Sequence, residues 1–216
     1  MSETAAVQSA VALRAPARKS FRETQFEARE EAIIEATNHL LSTKGYDMMV
    51  MDDIATEVGI AKGSLYKHFE SKESLAAAVM VRLLHRTQAA LDAMPEQHSA
   101  WQRIEALLTW TLRERLAGGV PHLPSSSQAL RDHLTANKDY VNQLMTLSDA
   151  VGELIEQAKE DGQIEASLDD SFVLYYIYAR SCDPTLDFLK SGGAIGDDEI
   201  VRQMVTSTMR GIAPGA

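Results

Sequence analysis

Residues 54–75 read Ile54-Ala-Thr-Glu-Val-Gly-Ile-Ala-Lys-Gly-Ser-Leu-Tyr-Lys-His-Phe-Glu-Ser-Lys-Glu-Ser-Leu75. Ile54, Ala55 and Val58 share one helical face, and Gly59 breaks the helix. A second short helix is predicted at about 62–69, with Leu65 and Phe69 turned inward. Ser71 then suits the cap of a third helix. Reading a duplex needs a narrow rod whose outer face offers donors to phosphates and base edges. Lys62, Gly63, Ser64, Tyr66, Lys67 and His68 face outward on the predicted rod, with Lys72 just beyond. A basic face alone is usually just solvated. The spacing, the Gly turn and the Tyr-Lys-His-Phe ending together favour a helix-turn-helix DNA reader over a short structural helix.

Outward from this run the pattern stays helical. Phe26, Ile33, Thr37, Leu40 and Leu41 predict a helix over about 24–44 that stops at Gly45, and the first helix of the reader covers about 51–58. Further helices are predicted at about 72–92, 99–117, 126–134, 138–161, 168–190 and 197–211. Ser167 with Asp170 resembles a capping box for the helix over about 168–190. No alternating strand pattern competes, so the fold class is all-α. Three regions follow: a flexible basic arm over 1–22, a helix-turn-helix domain over 23–72 and a helical effector-binding and dimerisation domain over 73–216. The arm carries Arg14, Arg18, Lys19 and Arg22. It reads either as a solvated tail or as a segment that touches the DNA backbone or minor groove. The run Phe172-Val-Leu-Tyr-Tyr-Ile-Tyr178 is apolar on nearly every face. Such a helix is buried in a core or against another subunit. The two C-terminal helices are therefore expected to build a two-fold homodimer as a four-helix bundle.

The net charge of −10 opposes nucleic-acid binding only until its distribution is considered. Residues 1–72 carry 9 Lys/Arg against 11 Asp/Glu, and the remainder 12 against 20. Within residues 61–72 Lys62, Lys67, Lys72 and His68 stand against Glu70 alone. The local field attracts phosphate, while an acidic body limits non-specific binding. One cysteine, Cys182, excludes an intramolecular disulfide framework and a Cys-rich zinc site. Neither a signal-peptide stretch nor a bilayer-spanning segment is visible, so a cytoplasmic location without membrane contact is expected.

Motifs for catalysis are lacking: no His-Glu-x-x-His, no Gly-x-Ser-x-Gly and no phosphate loop. Asp169-Asp170 and Asp197-Asp198 sit where helix starts are predicted and read as caps. The six histidines show no metal spacing, so neither metal, cofactor nor enzymatic activity is expected. Cys182 is expected to be packed and inert. An effector pocket belongs between the middle helices, with Trp101, Trp110, His133, Tyr140, Leu144, Tyr175 and Tyr178 as candidate lining. For any single one of these side chains, ordinary core or interface packing is the favoured reading. Arg180 has three readings: a local pair with Asp183 or Asp187, an acid across the dimer, or an anionic ligand.

The segment Arg29–Leu75 resembles the DNA-binding domain of TetR-family (tetracycline-repressor-like) regulators. The residues that carry the resemblance are Ile33, Ala36, Lys44-Gly45-Tyr46, Asp53-Ile54-Ala55, Gly59-Ile60, Lys62-Gly63-Ser64-Leu65-Tyr66, His68-Phe69 and Ser71-Lys72-Glu73-Ser74-Leu75. The resemblance implies that Ser64, Lys67 and Lys62 approach base edges and that Tyr66, His68 and Lys72 grip phosphates, with Gly63 permitting the approach. Two positions depart from the family's pattern. Val50 and Ala61 stand where a Ser or Thr commonly caps each reader helix. Each lost hydroxyl costs about 0.5–2 kcal/mol of helix stability, partly offset by Asp52 and Asp53 in the first turn. The reading head is thus expected to be soft when free and ordered by DNA.

What the resemblance implies as a whole is a homodimeric, ligand-responsive repressor. It would bind a palindromic double-stranded DNA operator and release it when a small-molecule effector occupies the body. Two rivals remain at this point: a ligand-independent, chromosome-organising DNA-binding protein of the same fold, and an all-α enzyme with a vestigial head.

Overall fold

The computed structural model describes residues 20–123 and 127–215. Ten α-helices and one 3₁₀ turn make up these residues, with no strand among them. The first helix, α1 (Phe21–Thr43), starts where the sequence supplies a reciprocal cap. Ser20 Oγ accepts from Glu23 N–H, and Glu23 Oε2 accepts from Ser20 N–H at 2.8 Å. Two of the four orphan donors of the helix start are thereby satisfied. The helix begins three residues earlier than expected, and Arg22 lies within it rather than in an arm. Arg14, Arg18 and Lys19 lie outside the described residues.

α2 (Met51–Val58) ends at Gly59 with φ 72°, a conformation that a residue without Cβ reaches at no cost. Ile60 N–H then donates to Ala55 O at 2.9 Å, closing the helix end in Schellman fashion. α3 (Lys62–Leu65) is shorter than the predicted 62–69: residues 66–68 continue as turns. α4 (Lys72–Asp92), α5 (Ala100–Leu116), α6 (Gln128–Ala136) and α7 (Lys138–Glu160) follow. Ser71, Ser99, Ser127 and Asn137 cap them with their side chains.

The largest departure concerns the helix expected over 168–190. It divides into α8 (Asp170–Ala179), a 3₁₀ turn (Arg180–Cys182) and α9 (Pro184–Gly192). Pro184 has no N–H and its ring would clash with the carbonyl four residues back, so a continuous helix is excluded. At the first position of a new helix the same ring is well placed. Asp183 caps α9 by accepting from Thr185 N–H at 3.0 Å. The cap of α8 is Asp169, which accepts from Phe172 N–H, rather than Ser167. Cys182 lies on the turn and is exposed, not packed in a helix. α10 (Asp197–Arg210) closes the chain.

Two apolar cores result. The head core joins Ile33, Leu40, Leu41, Ile54, Leu65, Leu75 and Val79. Leu130 of α6 reaches into it from the body. The body core runs from Leu84 and Leu91 through α5, α7 and α8 to α10. α4 therefore serves both cores, its first half in the head and its second in the body. Arg82 binds Glu31 and Glu35 on α1, and Arg86 binds Glu114 on α5. Asn38 Nδ2 donates to Gly118 O at 3.2 Å. A Cβ at Gly119 would meet the end of the Glu114 side chain, which would have to move aside, and would lie 3.2 Å from Glu114 O.

Candidate nucleic-acid interface and body cavity

Leu65 is fully buried and fixes α3 against the head core. With that face inward, Lys62, Gly63, Tyr66 and Lys67 are exposed and Ser64 is half-buried. A Cβ on Gly63 would meet nothing within 4 Å. No neighbour inside the chain demands glycine there, and the free space faces outward. Lys67 makes no ion pair among the described residues. Lys62 does: its Nζ lies 2.7 Å from Asp52 Oδ1 on α2. Lys72 is held over the Tyr46 ring, 4.2 Å from its centroid. Tyr46 in turn donates its hydroxyl to Glu73 Oε1 at 2.7 Å. Burial, with Glu73 beside it, holds the Tyr46 phenol well above its ordinary value. The hydrogen bond from Tyr46 holds the Glu73 carboxyl below its own.

His68 departs from the expected outward set. Its side chain is only 5% exposed. The ring stacks on Phe26 of α1, with centroids 4.2 Å apart, and Nδ1 lies 3.5 Å from Glu30 Oε1. Because α3 ends at Leu65, the following turn swings His68 back toward α1. Phe26, expected in the core, is instead the exposed lid of this stack. Val50 and Ala61 make no side-chain cap. The α2 start is closed from the other direction: Asp53 Oδ2 accepts from Val50 N–H at 3.3 Å and pairs with Lys44 at 3.2 Å. Asp52 and Tyr46 were missed as parts of this surface. Their signals were an acid in the first turn of α2 facing the first residue of α3, and the Lys-Gly-Tyr turn preceding it.

In the body, a cavity of about 250 Å³ opens between α4, α5, α7 and the α8 end. Of the candidate pocket residues, Tyr140, Leu144 and Tyr178 line it. Trp101, Trp110, His133 and Tyr175 do not. Trp101 packs against the edge of the body core. Trp110 borders a shallow surface recess and has Arg86 over its ring. His133 is on α6, outside the cavity, and Tyr175 is 68% exposed on α8. The missed lining is the α4 stripe Met80, Leu83, Leu84 and Thr87. Its i, i+3, i+4, i+7 spacing was legible as an apolar face, but not as one that fronts a void.

Ser181 and Cys182, on the 3₁₀ turn, border this cavity and also a second recess of about 380 Å³. That recess lies beneath the head turn Lys44–Met48 and is flanked by Arg115 and His122. Arg115 is 7% exposed and donates to Asp187 Oδ2 at 2.7 Å; His122 Nε2 lies 3.5 Å from the same oxygen. Arg180 takes the local partner, Asp183, at 2.9 Å and lies over the Tyr176 ring. Among the described residues no group of three or more His, Cys, Asp or Glu could hold a metal. No described helix is long and apolar enough to cross a membrane.

A compact three-helix head with an outward basic rod, carried on a larger helical body with an internal cavity, has the architecture of a helix-turn-helix domain joined to a helical body. Residues 33–79 match the family model of bacterial regulatory proteins, tetR family, so the head is similar to the DNA-binding domain of that family. It is 29% identical over 80 residues to the uncharacterized HTH-type transcriptional regulator YfiR of Bacillus subtilis, covering 37% of this chain and 39% of that one. It is 50% identical over 46 residues to the biofilm operon icaADBC HTH-type negative transcriptional regulator IcaR of Staphylococcus aureus. That match covers 21% of this chain and 25% of IcaR. The chain thus spans well under half the length of these relatives. The fold of the whole is similar to the fatty acid degradation regulator FadR from Bacillus halodurans, with TM-score 0.67 at 17% identity over 89% of this chain and 96% of that one.

Proposed function

We propose that the protein is a homodimeric, sequence-specific DNA-binding transcriptional regulator that acts as a repressor and releases its operator when a small molecule occupies the body. The observation that carries the reading is the outward face of α3. Leu65 anchors the rod, Gly63 has free space before it, and Lys62, Ser64, Tyr66 and Lys67 present donors. Ser64, Lys67 and Lys62 approach base edges; Tyr66 and Lys72 grip phosphates. The name of IcaR as a negative regulator supports repression over activation. Arg14, Arg18, Lys19 and Arg22 are the further basic groups available to the DNA backbone. The regulator works in the cytoplasm.

Dimerisation is supported by the apolar surface that a single chain leaves uncovered. Phe172 and Tyr175 on α8 and Phe188 on α9 are 53%, 68% and 75% exposed. α10, by contrast, turns Ile200, Val201, Met204, Val205 and Met209 inward and shows Arg202, Gln203 and Arg210 outside. Of the two C-terminal helical segments expected to pair, α8–α9 thus supplies most of the apolar contact. Two-fold symmetry places the paired α3 rods in major grooves about 34–36 Å apart, one helical turn of DNA. The α4 helix lines the cavity with one face and holds the head through Arg82 with another. A ligand that favours the DNA-incompetent head spacing lowers operator affinity by linkage, about 5–150-fold for a typical coupling.

Selection of bound sequences from a random DNA pool, by the purified protein at near-physiological salt, tests this. A palindrome with half-sites one turn apart is expected. Absence of any enriched sequence overturns the reading.

A further inference from the structure

The body cavity, at about 250 Å³, falls just below the roughly 300–1,000 Å³ usual for small-molecule sites. No Asp, Glu, Lys, Arg or His occurs among the described residues that line it. A carboxylate or ammonium entering it would lose its water with no counter-charge in exchange.

The hydroxyls of the wall are not equivalent. Thr87 and Thr111 donate to Leu83 O and Leu107 O within their own helices, at 2.8 and 2.9 Å. Ser181 donates to Tyr178 O at 2.8 Å. Those three protons are already engaged. Tyr178 OH has only a long contact, 3.4 Å, to Ser148 Oγ. The Tyr140 hydroxyl makes no hydrogen bond among the described residues. Burial pushes both phenols above their ordinary value, so both keep their protons at neutral pH and both are donors. Apart from the Cys182 thiol, 3.7 Å from Ser181 Oγ, the remaining wall, Leu83, Leu108, Leu144 and Ile177 among it, is apolar.

Building on the regulator reading above, we propose that the effector is an uncharged, compact, apolar molecule with a single hydrogen-bond acceptor, a carbonyl or hydroxyl oxygen, bound by Tyr140 and Tyr178. Acids and amines of the same skeleton are rejected by the lining rather than by size. Tyr140 and Tyr178 select for the oxygen because a phenol deprived of water in the occupied cavity needs an acceptor.

The test uses three ligands on one skeleton: naphthalenemethanol, naphthoate and naphthylmethylammonium. Each is titrated calorimetrically into the full-length protein without DNA at neutral pH. The alcohol binds, and the two ions bind about tenfold or more weakly. Tyr140→Phe with Tyr178→Phe keeps the shape and weakens the alcohol by roughly tenfold, the loss of about one buried hydrogen bond. Equal or tighter binding of either ion, no binding of any of the three, or an unchanged alcohol affinity in the double variant overturns the proposal. Operator affinity is measured separately with and without the alcohol. Binding of the alcohol with no effect on the operator leaves the ligand class standing and removes the ligand-responsive reading.

Discussion

Lys62 Nζ lies 2.7 Å from Asp52 Oδ1, so the first residue of α3 is paired with the first turn of α2 across the reading head. Both side chains are more than half exposed, and such a pair adds little stability. Its effect falls on the cation, which carries a partner before any phosphate arrives. Asp52→Asn should therefore raise affinity and, because Lys62 approaches base edges, also change which bases are preferred. Lys72→Ala should weaken all sequences alike and reduce the salt slope by about one unit, while Lys67→Ala and Ser64→Ala should change which bases are preferred. Binding curves of each variant on operator and random DNA, over a salt series, separate these outcomes.

The stack of His68 on Phe26 makes a sharp distinction between a phosphate contact and a structural one. His68→Phe retains the stack and removes both ring nitrogens. It should leave operator affinity unchanged. His68→Ala should destabilise the head by at least the roughly 0.5–1.5 kcal/mol of an aromatic pair, read in urea unfolding. A large loss of affinity in the Phe variant, at unchanged stability, would assign the imidazole to the DNA after all.

Val50 and Ala61 leave two helix starts without a side-chain cap. Val50→Thr and Ala61→Ser should each stabilise the free head, by about 0.5–2 kcal/mol. In the unaltered protein, amides of residues 51–68 should exchange quickly without DNA and slowly with it. Strong protection of the free protein contradicts a soft head.

The Tyr46–Glu73 hydrogen bond gives the head an acid-sensitive element. Glu73 is held below its ordinary value, first of all by the Tyr46 hydroxyl. A carboxyl depressed in the folded state contributes stability above its unfolded value of about 4.3, and that contribution is lost as pH falls through the folded value. Tyr46→Phe should lower stability at neutral pH and flatten this acid limb. The check is the urea midpoint across the acid range for both proteins. Identical slopes would detach the pair from the pH response.

Several helix boundaries were legible from a cap or a glycine: Gly45, Gly59 and Ser71 mark ends seen in the structure, and 72–92 was matched to the residue. The Ser20 box that starts α1 was not read, and the start of α8 was placed at Ser167 rather than at its cap Asp169. Pro184 was the overlooked signal. Its ring splits the long apolar helix and, by doing so, brings Cys182 to the surface. In the head, the inward pair Leu65 and Phe69 could be read from spacing, but His68 could not. Its direction depends on where α3 ends and on Phe26, some forty positions earlier. The same limit applies to the cavity. Spacing tells which residues turn inward, and Tyr140, Leu144 and Tyr178 do. Whether an inward face meets another side chain, as Trp101 does, or empty space, as Leu83 does, is decided by packing between distant helices.

Ser181 and Cys182 belong to two compartments at once, the cavity under α4 and the recess beneath the head turn Lys44–Met48. A partition common to two rooms cannot shift for one and stay still for the other. On the proposed ligand-responsive reading, body and head are joined along α4 and also through this short turn, and a duplex held by the head would press back on the ligand by the same amount that the ligand presses on the duplex.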